Sequence, residues 1–223
     1  MEYQAVAVKQ AVAVKAVAVI GDLVRSREHP DRAELQQALV RTLADVNAHQ
    51  SAQQDLEPTI GDEFQGVYPH LAAALSAALL VRLSLPEGAD CRVGIGAGGI
   101  DVVGRSNYGL TQDGPAWWSA RTAIEEVKRR EQRKNPTLRS WFVSADGSPS
   151  AAVNAYLLSR DHLVSDWSPR SRRLAAGMIL GETQADLAAA EGISQSAVSQ
   201  GLHACGAMAV AAGLAVLEGE TTS

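Results

Sequence analysis

The sequence predicts an α+β domain followed by a small all-α module. Strand-like and helix-like patterns of apolar residues alternate over residues 16–146 of the 223. A turn-rich stretch at residues 147–150 then ends that alternation, and alanine-rich helical patterns occupy most of the remaining chain. Hydrophobic residues make up 46% of the chain and charged residues 20%, which favours a folded core over disorder.

These changes of pattern divide the chain into four parts. Residues 1–15 repeat an Ala-Val-Ala-Val-Lys motif and are interpreted as a repetitive leader. Residues 16–146 form the α+β domain, residues 147–168 a linker with a connecting helix, and residues 169–223 the all-α module. Only the repeat that ends at Ile20 leads into a Gly-Asp step. That copy is therefore predicted to be the buried central strand.

Within the α+β domain the predicted order is strand, helix, hairpin, helix, strand, and then further elements. The ranges are strand 16–20, a helix opened by Pro30 and Asp31, hairpin strands 56–60 and 64–68, helix 71–85, strand 92–98, a strand 100–103 pairing back on it, helix 115–133 and strand 138–144. This order is that of the ferredoxin-like βαββαβ plan, here predicted with the helices on one face of the sheet.

Two Gly-Asp steps, Gly21-Asp22 and Gly61-Asp62, each come directly after a strand-like run. In the βαββαβ plan the first strand lies beside the hairpin, so we expect Asp22 next to Asp62. Paired carboxylates bind Mg²⁺ or Mn²⁺ and leave room for phosphate oxygens, which predicts a metal and phosphate site. The alternative is that both are ordinary strand-end turns. Glu63 adds a ligand only if it does not point to the opposite side of the strand.

Two further motifs bear on ligand binding. The run Arg25-Ser26-Arg27 lies in the loop after the first strand, where arginines make bidentate contacts with phosphate oxygens. Solvated loop charges are the alternative. The glycine run 94–99 comes after a strand pattern without a helix opening behind it, so it does not predict a dinucleotide site. It indicates close backbone packing or the approach of a ligand to the strand.

Four blocks of residues resemble the SatD family of bacterial proteins. They are Gly21–Arg27, Thr59–Gly66, Arg92–Gly96 and Asp113–Arg121, in that order within residues 16–144. More distantly, the same blocks resemble the class III nucleotide cyclases. That resemblance implies a cyclase-like fold in which Asp22 and Asp62 are metal ligands. It also implies that Arg121 is the catalytic arginine that stabilises charge on a transferring phosphate.

Three departures from the cyclase pattern argue against cyclisation of ATP. Trp117 stands where the cyclases have the ribose-positioning asparagine, and Pro58 stands where they have the base-selecting lysine. Leu110 lies near the place of their base-selecting acid. The metal and phosphate half of the pattern is retained and the base-reading half is not. Whether the protein is an enzyme stays open, and the pattern favours a binding protein.

Residues 183–200 have the pattern of a helix-turn-helix, similar to the DNA-binding helices of sigma-factor and LuxR-type regulators. Thr183 and Ser194 are placed to cap the two helices, and Gly192 permits the tight turn between them. The residues predicted to contact DNA are five polar side chains of the second helix and three upstream arginines: Gln195, Ser196, Ser199, Gln200, His203, Arg170, Arg172 and Arg173.

Charge weighs against the DNA interpretation. The net charge of the chain is -5, and residues 166–223 contain three Arg and no Lys against six acidic residues. A helical protein-interaction or dimerisation module is therefore the alternative. The apolar last helix, residues 204–217, is expected to be buried, as in a homodimer seam. No apolar run reaches the ~18 residues of a membrane span, and two distant cysteines fit a reducing cytoplasm.

The sequence thus predicts a cytoplasmic, homodimeric DNA-binding regulator. Its cyclase-like domain is expected to bind a divalent metal, Mg²⁺ or Mn²⁺, and a nucleotide or another phosphorylated small molecule. Two alternatives stay open. The first is a metal-dependent phosphoryl- or nucleotidyl-transfer enzyme, and the second is a non-catalytic scaffold with a degenerate site.

Overall fold

The computed structural model describes residues 14–106, 109–148 and 150–221. The strands in these ranges are β1 (Val14–Leu23), β2 (Gln54–Pro58), β3 (Glu63–Tyr68), β4 (Cys91–Ser106), β5 (Gly109–Asp113) and β6 (Ser140–Ser144). The α-helices are α1 (Arg32–Asn47), α2 (Leu71–Ser84), α3 (Pro115–Glu131), α4 (Ala151–Ser165), α5 (Pro169–Ile179), α6 (Gln184–Glu191), α7 (Gln195–Ala204) and α8 (Ala207–Thr221). Of the proposed leader, residues 1–13 lie outside the described residues, and β1 begins at Val14.

The six strands form one mixed sheet in the order β2-β3-β1-β4-β5, with β6 also pairing with β4. All neighbours are antiparallel except β6, which runs parallel to the first half of β4. The central strand β1 pairs with β3 on one side and with β4 on the other. The predicted adjacency of the first strand and the hairpin is therefore confirmed.

The two faces of the sheet are covered by different helices. Val17 and Val19 join the core formed with α1 and α2, whereas Ala18 and Ile20 pack against α3. Successive side chains of a strand point to opposite faces, so α3 lies on the face opposite α1 and α2. The prediction of helices on one face holds for α1 and α2 and is wrong for α3.

Helix α3 lies very close to β4 because alternate glycines of that strand leave no side chains between them. A Cβ atom at Gly94 would be 2.2 Å from the carbonyl oxygen of Ala120, and one at Gly96 would be 2.2 Å from the nitrogen of Ala120. A Cβ atom at Gly98 would be 2.8 Å from the nitrogen of Ala116. Of the two interpretations of the glycine run, close backbone packing is confirmed.

The prediction of a separate strand over residues 100–103 is wrong. These residues continue β4, and the strand that pairs back on it is β5. Gly98 and Gly99 do not break β4, because Ala16 and Lys15 of β1 pair with them. A glycine pair weakens a strand in isolation, but here the pairing with β1 holds the backbone of β4 extended.

Helix α2 is buried on both sides and joins the sheet to the C-terminal helices. Leu75 and Leu80 belong to the core between α1, α2 and the sheet. Leu79 and Leu83 belong to a second core with residues of α5, α6, α7 and α8. A helix that is apolar all round is expected where it is covered all round. The C-terminal helices therefore pack directly on the α/β part of the chain.

Helix α4, predicted as a connecting helix, covers the free edge of β6. The Asn154 side chain accepts a hydrogen bond from the Phe142 N–H at 2.8 Å and donates one to the Phe142 carbonyl at 2.9 Å. Asp161 accepts hydrogen bonds from the N–H groups of Arg139 and Ser140 at 2.7 and 2.6 Å. Side chains of α4 thus satisfy backbone groups that a neighbouring strand would otherwise pair.

The last helix, α8, is buried along one side only. Ala207, Val210 and Leu217 are buried, whereas Met208 and Val216 are 43% and 63% exposed. The expectation of burial is therefore correct for one side of the helix. None of the helices in the described ranges is by itself long and apolar enough to cross a membrane, although α7 and α8 together, bent by 70°, pass that test on length and composition alone.

Candidate functional site

The two Gly-Asp steps lie at the same end of the sheet, with separate side-chain partners. Asp22 pairs with Glu63 in the register of β1 and β3, and the carbonyl of Asp62 accepts a hydrogen bond from the Leu23 N–H at 3.3 Å. The Asp62 carboxylate accepts a hydrogen bond from the Ser26 hydroxyl at 2.5 Å. The structure therefore brings the two backbones together and gives the two carboxylates different environments.

Asp22 is buried and contacts two basic side chains. Arg92 Nη1 is 3.3 Å from Asp22 Oδ1, and Lys128 Nζ contacts Asp22 Oδ2. Arg92 Nε also donates to Glu131 Oε2 at 2.6 Å. Burial alone would lower the pKa of Arg92, but the hydrogen bonds and charges of Glu131 and Asp22 outweigh it and raise that pKa. The negative charge of the Asp22 carboxylate is therefore balanced by the positive charges of Arg92 and Lys128.

The residues at Asp22 and Asp62 do not form a complete set of metal ligands. In the three described ranges, no group of three or more His, Cys, Asp or Glu side chains is placed to hold a metal ion. Arg92 and Lys128 contact the two oxygens of Asp22 that a metal would need. The Lys128 side chain is 43% exposed, so it can move into solvent at little cost. A metal at Asp22 requires that movement, while the Asp62 carboxylate lies beside Ser26.

Arg121, the proposed catalytic arginine, extends from α3 towards the hairpin. Its Nη1 is 3.4 Å from Glu63 Oε1, and the two side chains are 49% and 38% exposed. Because Asp22 and Glu63 are cross-strand partners, they share the face of the sheet that α3 covers. The second carboxylate on the face of Asp22 is therefore Glu63. The alternation of side chains along a strand is the sequence signal that identifies it.

A cleft of about 670 Å³ opens at this end of the sheet, between the loop after β1 and the loop before β4. Its charged lining consists of Arg25, Glu28, Asp90, Arg92, Glu131 and Arg139. Cavities of this size hold small-molecule ligands in other proteins. Sequence reasoning missed this cleft because its lining comes from three separate parts of the chain, residues 24–35, 88–92 and 131–139.

A chain of ion pairs forms the floor of the cleft. Glu131 pairs with Arg92 and, through Oε1 at 3.0 Å, with Arg139. Arg139 Nε donates to Asp90 at 2.8 Å, and Arg82 Nε donates to the same carboxylate at 2.9 Å. We call the connected set the charged cluster: Asp22, Arg82, Asp90, Arg92, Lys128, Glu131, Arg139, Arg160 and Asp161.

The buried end of the charged cluster reaches α4. Arg82 is 2% exposed and lies 3.3 Å from the carboxylate of Asp161, which also accepts from Arg160 at 2.8 Å. Burial alone would raise the pKa of the Asp90 carboxyl. The charges and hydrogen bonds of Arg82 and Arg139 outweigh burial and hold that pKa below its usual value. The cluster therefore connects the cleft with the helices that come after the sheet.

The Arg25-Ser26-Arg27 run forms part of a short 3₁₀ turn, Ser26–Glu28, after β1. Arg25 has φ 53° and is the single non-glycine residue with positive φ in the described ranges. Its side chain is 78% exposed and lines the cleft, and its Nε is 4.0 Å from Glu28. Ser26 is buried against Asp62, and Arg27 is exposed. Of the three proposed phosphate ligands, Arg25 is the one that lines the cleft.

The α6 and α7 helices are capped and joined as the sequence predicts. The Thr183 side chain accepts from the Asp186 N–H, and Asp186 bonds back to Thr183 in a capping box. Gly192 ends α6 with φ 64°, the left-handed region that favours glycine. Ser194 then caps α7 by accepting from the Ala197 N–H at 3.2 Å. Each proposed cap and the turn glycine are therefore in place.

The outer face of α7 is polar and exposed. Val198 and Leu202 are buried in the core of the C-terminal helices. The proposed DNA-contacting residues of this helix lie outside that core: Gln195, Ser196, Gln200 and His203 are exposed, and Ser199 is half-buried. The structure therefore places all five on the accessible side of α7.

The three upstream arginines have other partners or positions. Arg173 Nε donates to Glu191 at 2.6 Å, and Arg170 Nε is 3.5 Å from the same carboxylate. The hydrogen bond from Arg173 lowers the pKa of Glu191. Arg172 is half-buried and lines a cavity beside Trp167. Two of the three arginines therefore connect α5 to the end of α6.

Comparison with known protein families agrees with the four sequence blocks. The SatD family model matches residues 16–210. The chain belongs to the SatD family. The match runs from β1 into α8, so the SatD region includes the C-terminal helices as well as the sheet. No curated protein matches the sequence.

Proposed function

We propose that this SatD family protein is a cytoplasmic DNA-binding regulator whose α+β domain binds a phosphorylated ligand. The observation that carries the proposal is the α6–turn–α7 unit. Its two helices are capped, its turn is fixed by Gly192, and its second helix presents small polar and amide side chains to solvent. These features support a helix-turn-helix whose α7 enters the major groove.

Gln195 and Gln200 are the side chains best suited to read base edges, because a glutamine amide both donates and accepts. Both are exposed, and a change to alanine removes no buried contact. Arg170 and Arg173 are held beside the same unit by Glu191 and keep free guanidinium edges for phosphate contacts. The acidic balance of this region predicts a weaker salt dependence than basic DNA-binding proteins show.

Selection from a random double-stranded DNA library tests the proposal. The wild-type protein is expected to enrich one motif, and Gln195→Ala or Gln200→Ala should weaken binding to it by about 1–3 kcal/mol. Gln37→Ala changes an exposed glutamine of α1 and is the matched control. Failure to enrich any motif would contradict the proposal and favour the scaffold alternative.

The sheet supports the ligand half of the proposal. The order β2-β3-β1-β4, with α1 and α2 on one face, is what a ferredoxin-like, cyclase-like domain requires. Asp22, Glu63 and Arg121 share the α3 face of this domain, and Asp22 contacts Arg92, which lines the cleft together with Arg25. A nucleotide or another phosphorylated small molecule is the proposed ligand.

The proposed Mg²⁺ or Mn²⁺ site at Asp22 and Asp62 competes with Lys128. Because Lys128 contacts Asp22, its removal should free one carboxylate oxygen for the metal. Lys128→Gln is therefore expected to strengthen the rise in melting temperature that Mn²⁺ produces, and Asp22→Asn should abolish it. Equal responses in wild type and Lys128→Gln would contradict the metal site.

Helix α2 supports regulation of one part by the other. It contributes Leu75 to the sheet core and Leu79 to the core of the C-terminal helices, so a ligand that shifts α2 also shifts α7. The exposed apolar side of α8, with Met208 and Val216, supports the proposed homodimer. Two copies of α7 would then read two half-sites.

One observation favours an enzyme as the second candidate. Arg121 is half exposed beside Glu63, on the face that also holds Asp22, which suits an arginine acting on a phosphoryl group. The test is product formation from nucleoside triphosphates with Mn²⁺. A product that disappears in Arg121→Gln would favour the enzyme. The absence of product from every nucleotide would contradict the enzyme and favour the regulator.

A further inference from the structure

We propose that the 670 Å³ cleft is the binding site for the phosphate group of this ligand, and that Arg25, Arg92 and Arg139 hold it without a metal ion. The inference rests on the proposed function, in which the α+β domain binds a phosphorylated molecule. It goes further by naming the cavity, the residues that bind phosphate and the chemistry that they recognise.

The two carboxylates of the cleft floor, Asp90 and Glu131, are each paired with two arginines. Asp90 Oδ1 accepts from Arg82 Nε and from the Cys91 N–H, both at 2.9 Å. Asp90 Oδ2 accepts from Arg139 Nε at 2.8 Å and from Arg82 Nη2 at 3.3 Å. Glu131 receives Arg92 on one oxygen and Arg139 on the other. The negative charges of the floor are therefore already matched by arginines.

The arginines, by contrast, keep N–H donors that no acceptor among the described residues uses. Each guanidinium has five N–H donors in a planar fork. Within the described ranges, Arg92 Nη2 and Arg139 Nη2 donate no hydrogen bond, and Arg25 reaches no carboxylate closer than 4.0 Å. The cleft thus offers guanidinium N–H groups that are not used within the protein. Such groups fit an oxyanion with several acceptor oxygens, such as a phosphate group.

The backbone of Arg25 is a separate observation that supports a binding role. Its φ of 53° and ψ of 31° lie in the left-handed region, which glycine and asparagine adopt readily and which costs arginine steric strain. Such strain occurs most often at binding and catalytic sites. Here it places a mostly exposed guanidinium at the mouth of the cleft. Contact of the Arg25 guanidinium with a ligand would account for an arginine at this strained position.

The test uses inorganic pyrophosphate and the full chain, by isothermal titration calorimetry, in EDTA and at matched ionic strength. Wild type is expected to bind, and Arg25→Gly should bind at least tenfold more weakly. Glycine adopts the Arg25 backbone without strain, so this variant keeps its fold. Arg41→Gln removes an equal charge from an exposed position of α1 outside the cleft and should bind as wild type does.

A second variant should act in the opposite direction. Glu28 is exposed, lines the cleft and lies near Arg25, so Glu28→Gln removes a negative charge from beside the anion. We expect this variant to bind pyrophosphate severalfold more tightly. No binding by wild type, or Arg25→Gly and Glu28→Gln both matching Arg41→Gln, would overturn the proposal.

Failure of this inference is distinguishable from failure of the proposed function. Binding that needs Mg²⁺ and disappears in Asp62→Asn, but not in Arg25→Gly, would overturn the metal-free cleft and leave the ligand-binding regulator intact. Metal-free binding that Arg25→Gly weakens, in a protein that enriches no DNA motif, would support the cleft and remove the regulator.

Discussion

The two faces of the central sheet differ in how they are covered. On the α1 and α2 face, large side chains such as Leu39 and Phe64 fill the space between sheet and helices. On the α3 face, Gly94 and Gly96 let the helix backbone lie directly on the strand. At the end of the first face the Ser26 hydroxyl lies beside Asp62, and at the end of the second Asp22 contacts Arg92 and Lys128.

This difference shows that the same dipeptide acquires its role from the face to which its side chain points. Gly21-Asp22 places its carboxylate under α3, where Arg92 and Lys128 neutralise it. Gly61-Asp62 precedes β3 and places its carboxylate beside Ser26. The carboxylate of the first motif therefore forms a buried ion pair, and that of the second forms a half-exposed hydrogen bond.

The largest expected effect comes from adding one methyl group to the α3 face. In Gly96→Ala the new Cβ would lie 2.2 Å from the nitrogen of Ala120 and 2.3 Å from the carbonyl oxygen of Ala116, so the helix must move. We expect a loss of about 3 kcal/mol or more in the free energy of unfolding, measured in urea.

The control for Gly96→Ala is the same substitution at a helical glycine. In Gly201→Ala the new Cβ would lie 3.6 Å from Leu174, an ordinary contact, and alanine favours the helix by up to about 1 kcal/mol. Equal stability of the two variants would mean that α3 does not rest on the glycines of β4.

Replacing each aspartate of the two Gly-Asp steps should have unequal effects. Asp22→Asn leaves Arg92 and Lys128 without their shared counter-charge and should cost about 2 kcal/mol, since Lys128 can turn to solvent. Asp62→Asn should cost no more than about 1 kcal/mol, because an amide oxygen still accepts from Ser26. Chemical denaturation of both variants measures the difference, and a larger loss in Asp62→Asn would contradict the assigned faces.

Acid should weaken the charged cluster through Asp90. Its pKa is below the ordinary value of 3.8 in the folded protein, so the unfolded chain takes up a proton first as the pH falls. Its contribution is complete above the ordinary pKa and disappears as the pH falls through the depressed folded value. Each unit of depression is worth about 1.4 kcal/mol. Unfolding free energies from about pH 6 to about pH 3 should therefore decline less in Asp90→Asn, and an unchanged decline would contradict this role.

Much of the sheet could be predicted because local apolar patterns decide it. The alternation in residues 16–20 and the helical spacing of Leu35, Leu39 and Leu43 mark β1 and α1, and both are found. The caps of α6 and α7 could be predicted for the same reason, since Thr183 and Ser194 act on residues within one turn.

The remaining features depend on contacts between distant parts of the chain. Arg82 and Asp161 are 79 positions apart, and neither position carries a local signal of the other. The placement of α3 on the second face depends on the glycines of β4, for which the sequence left open close packing or the approach of a ligand and identified no packing partner. The cleft could not be predicted because it exists only where these distant segments meet.

One measurement tests the central claim, that ligand binding at the sheet alters DNA binding by α7. The affinity for the selected DNA motif is measured by fluorescence anisotropy with and without Mg²⁺ and the nucleotide that most raises the melting temperature. We expect at least about a fivefold change in wild type, and none in Arg25→Gly, which lacks the proposed phosphate contact. A ligand that binds the protein and leaves DNA affinity unchanged would contradict the account.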